Sequence, residues 1–265
     1  MKLMVVAVSS EGFQDAGHND RRTEAVCDLL RSARRPRPSI VHLPAGFWTV
    51  DAEKHVLPFC RKLAKSLGKY GCWIVGGVDS REGHRRSKAG LRKGGGHPTK
   101  DSRRSIDQLV RRNALPFWGF AISPRGRIHG PWRQISTASE NATYAPTNVV
   151  EAIARRNLDV DGLAVLPLVC GEMHSRPIRT RVKEISPHLV LVSGHASHKR
   201  AVQGIRTVYN ASGAAVVHTQ HLVPSTGGAH HWINARGRDF AESMNRSKKD
   251  LGSPDFWLSG KVIAF

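Results

Sequence analysis

The chain has 265 residues, long enough to bury a full core, and its 40% hydrophobic and 23% charged content is that of an ordinary folded protein. Lys and Arg number 41 against 21 Asp and Glu, a net charge of +20 that draws polyanions but says nothing about fold. The opening MKLMVVAV turns polar too soon for a signal peptide, and no apolar run approaches the roughly 20 residues of a membrane span, so a soluble, cytoplasmic chain with no membrane partner is expected.

Leu3–Val8 is an apolar run of strand length. Asn19 or Asp20 can cap a helix that gathers Val26, Leu29, Leu30 and Ala33 on one face, and Pro36 and Pro38 end it. Ser39–Leu43 is a second short strand, closed by Pro44. Thr49 or Asp51 can cap the next helix, in which Val56, Leu57, Phe59, Cys60, Leu63 and Leu67 recur at helical spacing. Trp73–Val78 is a third strand. Strand, helix, strand, helix, strand at this spacing predicts right-handed βαβ units and a mainly parallel sheet.

The pattern then breaks. Residues 80–112 carry eleven Lys/Arg against three acids and include GLRKGGGHPTK. Residues 83–102 read as a basic, Gly-rich flexible insertion, either a solvated loop or an arm for nucleic acid or an acidic protein. The insertion lacks interleaved aromatics, so base stacking is not indicated. Order returns with Phe117–Ile122 and Arg127–Ile128 around the turn Ser123-Pro124-Arg125-Gly126. Pro146 or Thr147 opens a helix through Arg156. The run Leu163–Val169 predicts a buried strand that stops at Cys170-Gly171-Glu172. His188–Val192 is a further strand, a helix follows from about Ser197 to Val208, and Ala214–Thr219 is a strand again. Ala229–Ile233 and Asp239–Phe240 predict a second hairpin. The apolar tail FWLSGKVIAF is expected to be paired or docked.

A thiol where a strand runs out into a Gly-containing turn is held on one side and reachable on the other, and ligands collect at that edge of open α/β sheets. Free cysteine is also among the most buried residue types, so a core role for Cys170 stands beside the chemical one. The four cysteines (Cys27, Cys60, Cys72, Cys170) show no metal spacing and are expected as free thiols. His218 and His221 are three apart and His230 and His231 adjacent, but no carboxylate or cysteine set accompanies them, so neither a zinc site nor any cofactor is expected.

Several spaced segments resemble the nitrilase superfamily of carbon–nitrogen hydrolases. SIVHLPA (Ser39–Ala45) is similar to that family's strand ending in Phe-Pro-Glu, and KYGCWIVGG (Lys69–Gly77) to its third strand. ISPRGRIHGPWRQ (Ile122–Gln134) resembles its "IDPDG…YRK" hairpin. VLPLVCGEMHSR (Val165–Arg176) resembles the strand bearing its nucleophilic cysteine. LVLVSGHAS (Leu189–Ser197) matches the next strand, and Ala229–Gly237 the late hairpin. The resemblance spans most of the chain. It implies a single domain over 1–265: an α/β fold of α-β-β-α layers, with two mixed β-sheets inside and helices outside. It also implies a homo-oligomer, because nitrilase-like domains associate through helix faces.

The family's chemistry uses a thiolate nucleophile, a glutamate base, and a lysine that works with a backbone N–H on the oxyanion. Position by position, the resemblance assigns Cys170 as nucleophile and the Gly171 N–H as backbone donor, with Glu140 near a supporting glutamate. The base position is Ala45, which accepts no proton. The lysine position is Gln134, preceded by Arg133. Loss of a general base costs about 10² to 10⁴ in rate. Loss of an oxyanion donor costs about 10² to 10³ more. Hydrolysis of a small amide or nitrile is therefore expected to be weak or lost, unless Glu172, His174, His195 or Glu140 serves as base, or Arg133 as oxyanion cation. The alternative is an inactive scaffold that binds nucleic acid or an acidic partner through its basic insert.

Overall fold

The computed structural model describes residues 4–10, 18–32, 37–81, 108–137, 147–196, 199–221, 229–243 and 258–264. The insertion at 83–102 and Glu140 lie outside the described residues. The first half lays down β1 (Met4–Ser10), α1 (Asn19–Ser32), β2 (Ile40–His42), β3 (Trp48–Val50), α2 (Val56–Leu67), β4 (Trp73–Ser80), β5 (Phe117–Ile122) and β6 (Ile128–Arg133). The second half has α3 (Thr147–Glu151), β7 (Leu158–Val160), β8 (Leu163–Val169), α4 (Arg176–Ile185), β9 (Leu189–Ala196), α5 (Lys199–Ser212), β10 (Ala215–His221), β11 (Ala229–Ile233) and β12 (Asp239–Ser243). The last strand is β13 (Leu258–Ala264).

Two mixed sheets result, in the orders β13-β1-β2-β4-β5-β6, with β3 on β4, and β12-β11-β10-β9-β8-β7. They pack face to face over Val5, Ile40, Val75, Ala121, Val165, Leu189, Leu191 and Val217. Strand alternation turns Val41, Ile74 and Val78 the other way, onto Val26, Cys60 and Leu63 of α1 and α2. In the second sheet Leu166, Val190, Val192 and Val216 turn outward to Ile178 and Val182 of α4 and Ile205 and Val208 of α5. The layers are helix, sheet, sheet, helix, as the resemblance implies. The apolar tail is paired: β13 runs antiparallel to β1 from Met4↔Ala264 to Ser10↔Leu258.

The differences from the sequence expectation are local. Thr49 caps no helix; it lies in β3, paired with β4 opposite Asp79. Strand β4 runs two residues past Val78, to Ser80, and β9 runs to Ala196. Strand β7 and helix α4 were not expected. The α4 sequence RPIRTRVKEI is so rich in charge that its apolar stripe is reduced to Ile178 and Val182, buried on one side.

Candidate functional site

Strand β8 ends in a single 3-10 turn, Cys170–His174, and Cys170 itself adopts φ +43. A left-handed backbone is uncommon for a residue with a Cβ, and it turns the thiol out of the strand direction. Glu172 holds this turn from beneath. Its carboxylate accepts the N–H groups of Val169 at 2.8 Å and Ile135 at 2.7 Å, and two bonds from Arg156 at 2.7 and 3.1 Å. Arg156 also donates to the Arg133 carbonyl at 3.1 Å. Both charges of this pair are buried, so Glu172 is a structural anchor, with every described bond directed at the scaffold.

Strand β9 runs parallel to β8, with Val169 in register with Ser193, and alternation points Leu191, Ser193 and His195 at the first sheet. His195 hydrogen-bonds the Cys170 thiol with its side chain, and its backbone N–H reaches the same sulfur. From the first sheet, alternation along β4 aims Val75, Gly77 and Asp79 back at β9. The Asp79 carboxylate accepts from His195 Nε2 at 3.2 Å (Oδ1) and 3.1 Å (Oδ2). The Phe117 ring packs on the imidazole at 4.4 Å between centroids.

The electrostatics follow from this line of three. Burial disfavours the imidazolium, but the Asp79 charge, then Cys170 and the hydrogen bonds to both, outweigh it and push His195 up to about 10. Burial likewise raises the Cys170 thiol, and His195 overrides that by charge and hydrogen bonding, so the thiol lies below its ordinary range despite Asp79. Two other thiols behave in the opposite way: burial pushes Cys60 up to about 12 and Cys72, in spite of Arg37, to about 11.

The backbone of the 45–46 turn closes the corner. Ala45 N–H donates to the Gly194 carbonyl at 3.1 Å, and His221 Nε2 donates to the Ala45 carbonyl at 2.7 Å. Burial holds His221 down to about 3, so it is a neutral donor there.

The other residues named from sequence take different places. Arg133 is fixed by two bonds to Glu53 at 3.0 and 2.8 Å, one to the Leu115 carbonyl at 2.8 Å, and stacking on Trp118 at 4.1 Å. These three hydrogen bonds direct the guanidinium at Glu53 and the Leu115 backbone. Gln134 is buried and its amide N–H donates to the Ser136 carbonyl at 2.5 Å. His174 lies against Gly204 of α5, on the helix side of the second sheet. His218 lies against Gly194, and among the described residues no three or more His, Cys, Asp or Glu are grouped to hold a metal ion. Asp79 was not found from sequence. The signal available was a single acid, in WIVGGVDS, directly after the apolar run WIVGGV.

No family model and no curated protein sequence matches this chain. Solved structures do match. A mutant of the amidase from Nesterenkonia sp. AN1, with the acetamide moiety of fluoroacetamide added covalently at its active-site cysteine, superposes with a TM-score of 0.59 at 12% identity, over 98% of this chain and 90% of that one. A carbon–nitrogen hydrolase from Helicobacter pylori G27 gives 0.58 at 10% identity over 91% and 85%. A CN-hydrolase superfamily protein from Xanthomonas campestris, with an arsenic adduct in its active site, gives 0.57 at 13% over 99% and 91%. The chain therefore has the nitrilase-superfamily fold.

Proposed function

We propose that this chain is a thiol-dependent hydrolase of small amide-type compounds, with Cys170 as nucleophile and His195 as proton carrier. The observation that carries the reading is the His195 imidazole bonded to a thiol held below its ordinary range. The Cys170 thiolate attacks the carbonyl carbon. A C–S bond forms and the carbonyl π pair moves to oxygen, beside the Gly171 N–H. The oxyanion collapses, the C–N bond breaks, and the His195 proton goes to the leaving nitrogen. Water, giving its proton to the neutral imidazole, then hydrolyses the thioester and frees the thiolate. His195 thus supplies the base that Ala45 cannot. Gln134 stands at the family's lysine position and brings no charge, so turnover is set about 10² to 10³ below that of a site with the full oxyanion cradle. Covalent capture of an acetamide by the Nesterenkonia amidase supports the choice of ligand class.

Fluoroacetamide or iodoacetamide, followed by peptide mass mapping at pH 7, tests the reading. Cys170 is expected to be alkylated at least about tenfold faster than Cys27, Cys60 or Cys72, because only a thiolate reacts. Ammonia release from short-chain amides is expected to vanish in Cys170→Ser. Equal reactivity of Cys170 and Cys27 overturns the reading. A homo-oligomer joined through helix faces belongs to the same proposal and is read from the mass by light scattering.

A further inference from the structure

We propose that Asp79 is the positioning carboxylate of this site: from the end of β4 it fills the space in front of the 45–46 turn and orients His195 toward Cys170. The assignment rests on Cys170 as the nucleophile, argued above, and adds where the lost acid of that turn has gone.

The geometry is specific. Gly46 has φ +62, and a Cβ built on it would lie 2.4 Å from Asp79 Oδ2 and 2.7 Å from Asp79 Cγ. The Asp79 carboxyl group thus occupies the volume that a side chain on this turn would take. The close approach is allowed by Gly77, where a Cβ would lie 2.8 Å from the Ala45 Cα. So Ala45, Gly46 and Gly77 are a matched set: two small residues clear the turn, a third lets it settle on β4, and the acid arrives two residues further along that strand. Asp79 and His195 are both buried, and both carboxylate oxygens face the same imidazole nitrogen. A carboxylate in that place fixes the ring's orientation and supports its positive form in a dry interior, where an unpaired imidazolium is costly.

Among the described residues, Cys170, His221 and Arg22 are the charged or titratable groups that act on this corner. Cys170 faces it from the end of β8 and raises the imidazole. His221 faces it from β10, neutral and bonded to Ala45. Arg22 of α1, buried with Nη1 on the Phe47 carbonyl at 2.6 Å, acts on the same corner by lowering His221. Among the described residues, Asp79 is the carboxylate that raises His195.

Asp79→Asn keeps the shape and removes the charge. The rate of Cys170 alkylation by iodoacetamide is measured against pH in both proteins, alongside their melting transitions. The wild-type rate is expected to reach its plateau below the ordinary thiol range. In folded Asp79→Asn the onset is expected to move up, with the pH 7 rate falling about tenfold or more and amide turnover about 10² to 10⁴. A pH profile unmoved by Asp79→Asn, with Cys170 still reactive, overturns the role of Asp79 alone. A wild-type Cys170 unreactive at neutral pH overturns the hydrolase reading itself. Should Asp79→Asn fail to fold, the imidazole ¹⁵N shifts of His195 in Cys170→Ala decide. A ring still protonated at pH 8 supports the proposal, and a neutral ring at that pH overturns it.

Discussion

At the residue scale, two titratable groups of the site make stability depend on pH in opposite senses. His195 is raised from 6.5 to about 10 in the folded chain. Its contribution is complete below about 6.5 and is lost as the pH rises through about 10. Cys170 is lowered from 9.0, so its contribution is present above that value and is lost as the pH falls through its folded pKa. Removing the thiol separates the two. In Cys170→Ala the urea midpoint is expected to fall steadily above pH 7 as the His195–Asp79 pair loses its proton. In Cys170→Ala/Asp79→Asn that slope is expected to flatten. Equal slopes would show that the pair contributes nothing to folding.

At the element scale, the Glu172 carboxylate ties the end of β8 to Ile135, just past β6, and to Arg156, ahead of β7. Glu172→Gln leaves the buried Arg156 guanidinium without its counter-charge, and removing one member of such a pair costs about 3–5 kcal/mol. A urea midpoint shift of that size is expected, and an unchanged midpoint would show that the anchor is dispensable. Most of the elements were legible in the sequence because their apolar periods are long. Gly162-bounded LAVLPLV, the 56–67 helix and the βαβ order needed only local rules. Cys170 was legible because a strand end followed by Gly171 marks an exposed edge, and His195 because it follows the next strand. Asp79 was not, because an acid after WIVGGV reads as a turn and its partner lies 116 residues away. Glu172 and Arg133 read as free chemistry in the sequence, whereas their ion pairs with Arg156 and Glu53 exist only through tertiary contact. Strand β3 and β7, three residues each, are too short for a period to show.

At the scale of the whole molecule, the first sheet is completed by the end of the chain. Strand β13 covers β1 along its full length. Deleting residues 258–265 bares that edge, and an uncovered edge strand pairs with other chains. The truncated protein is expected to aggregate or self-associate, read by size-exclusion chromatography; a well-behaved species of unchanged size would contradict this.

The same sandwich divides its polar groups between layers. Cys170 and His195 belong to the second sheet, Asp79 and the Ala45 turn to the first. Bonds of His42 to Ser193 at 3.1 Å, Ala45 to Gly194 at 3.1 Å and His195 to Asp79 at 3.1 Å all cross the gap. The spacing of the layers is set elsewhere, by the apolar side chains of Ile40, Val75, Leu189 and Leu191. The proposed reactive centre therefore works as a caliper on its own interior. A cavity cut among those apolar residues, far from any reacting atom, loosens the jaws, and the thiol feels it as a weaker imidazole before the protein feels it as unfolding.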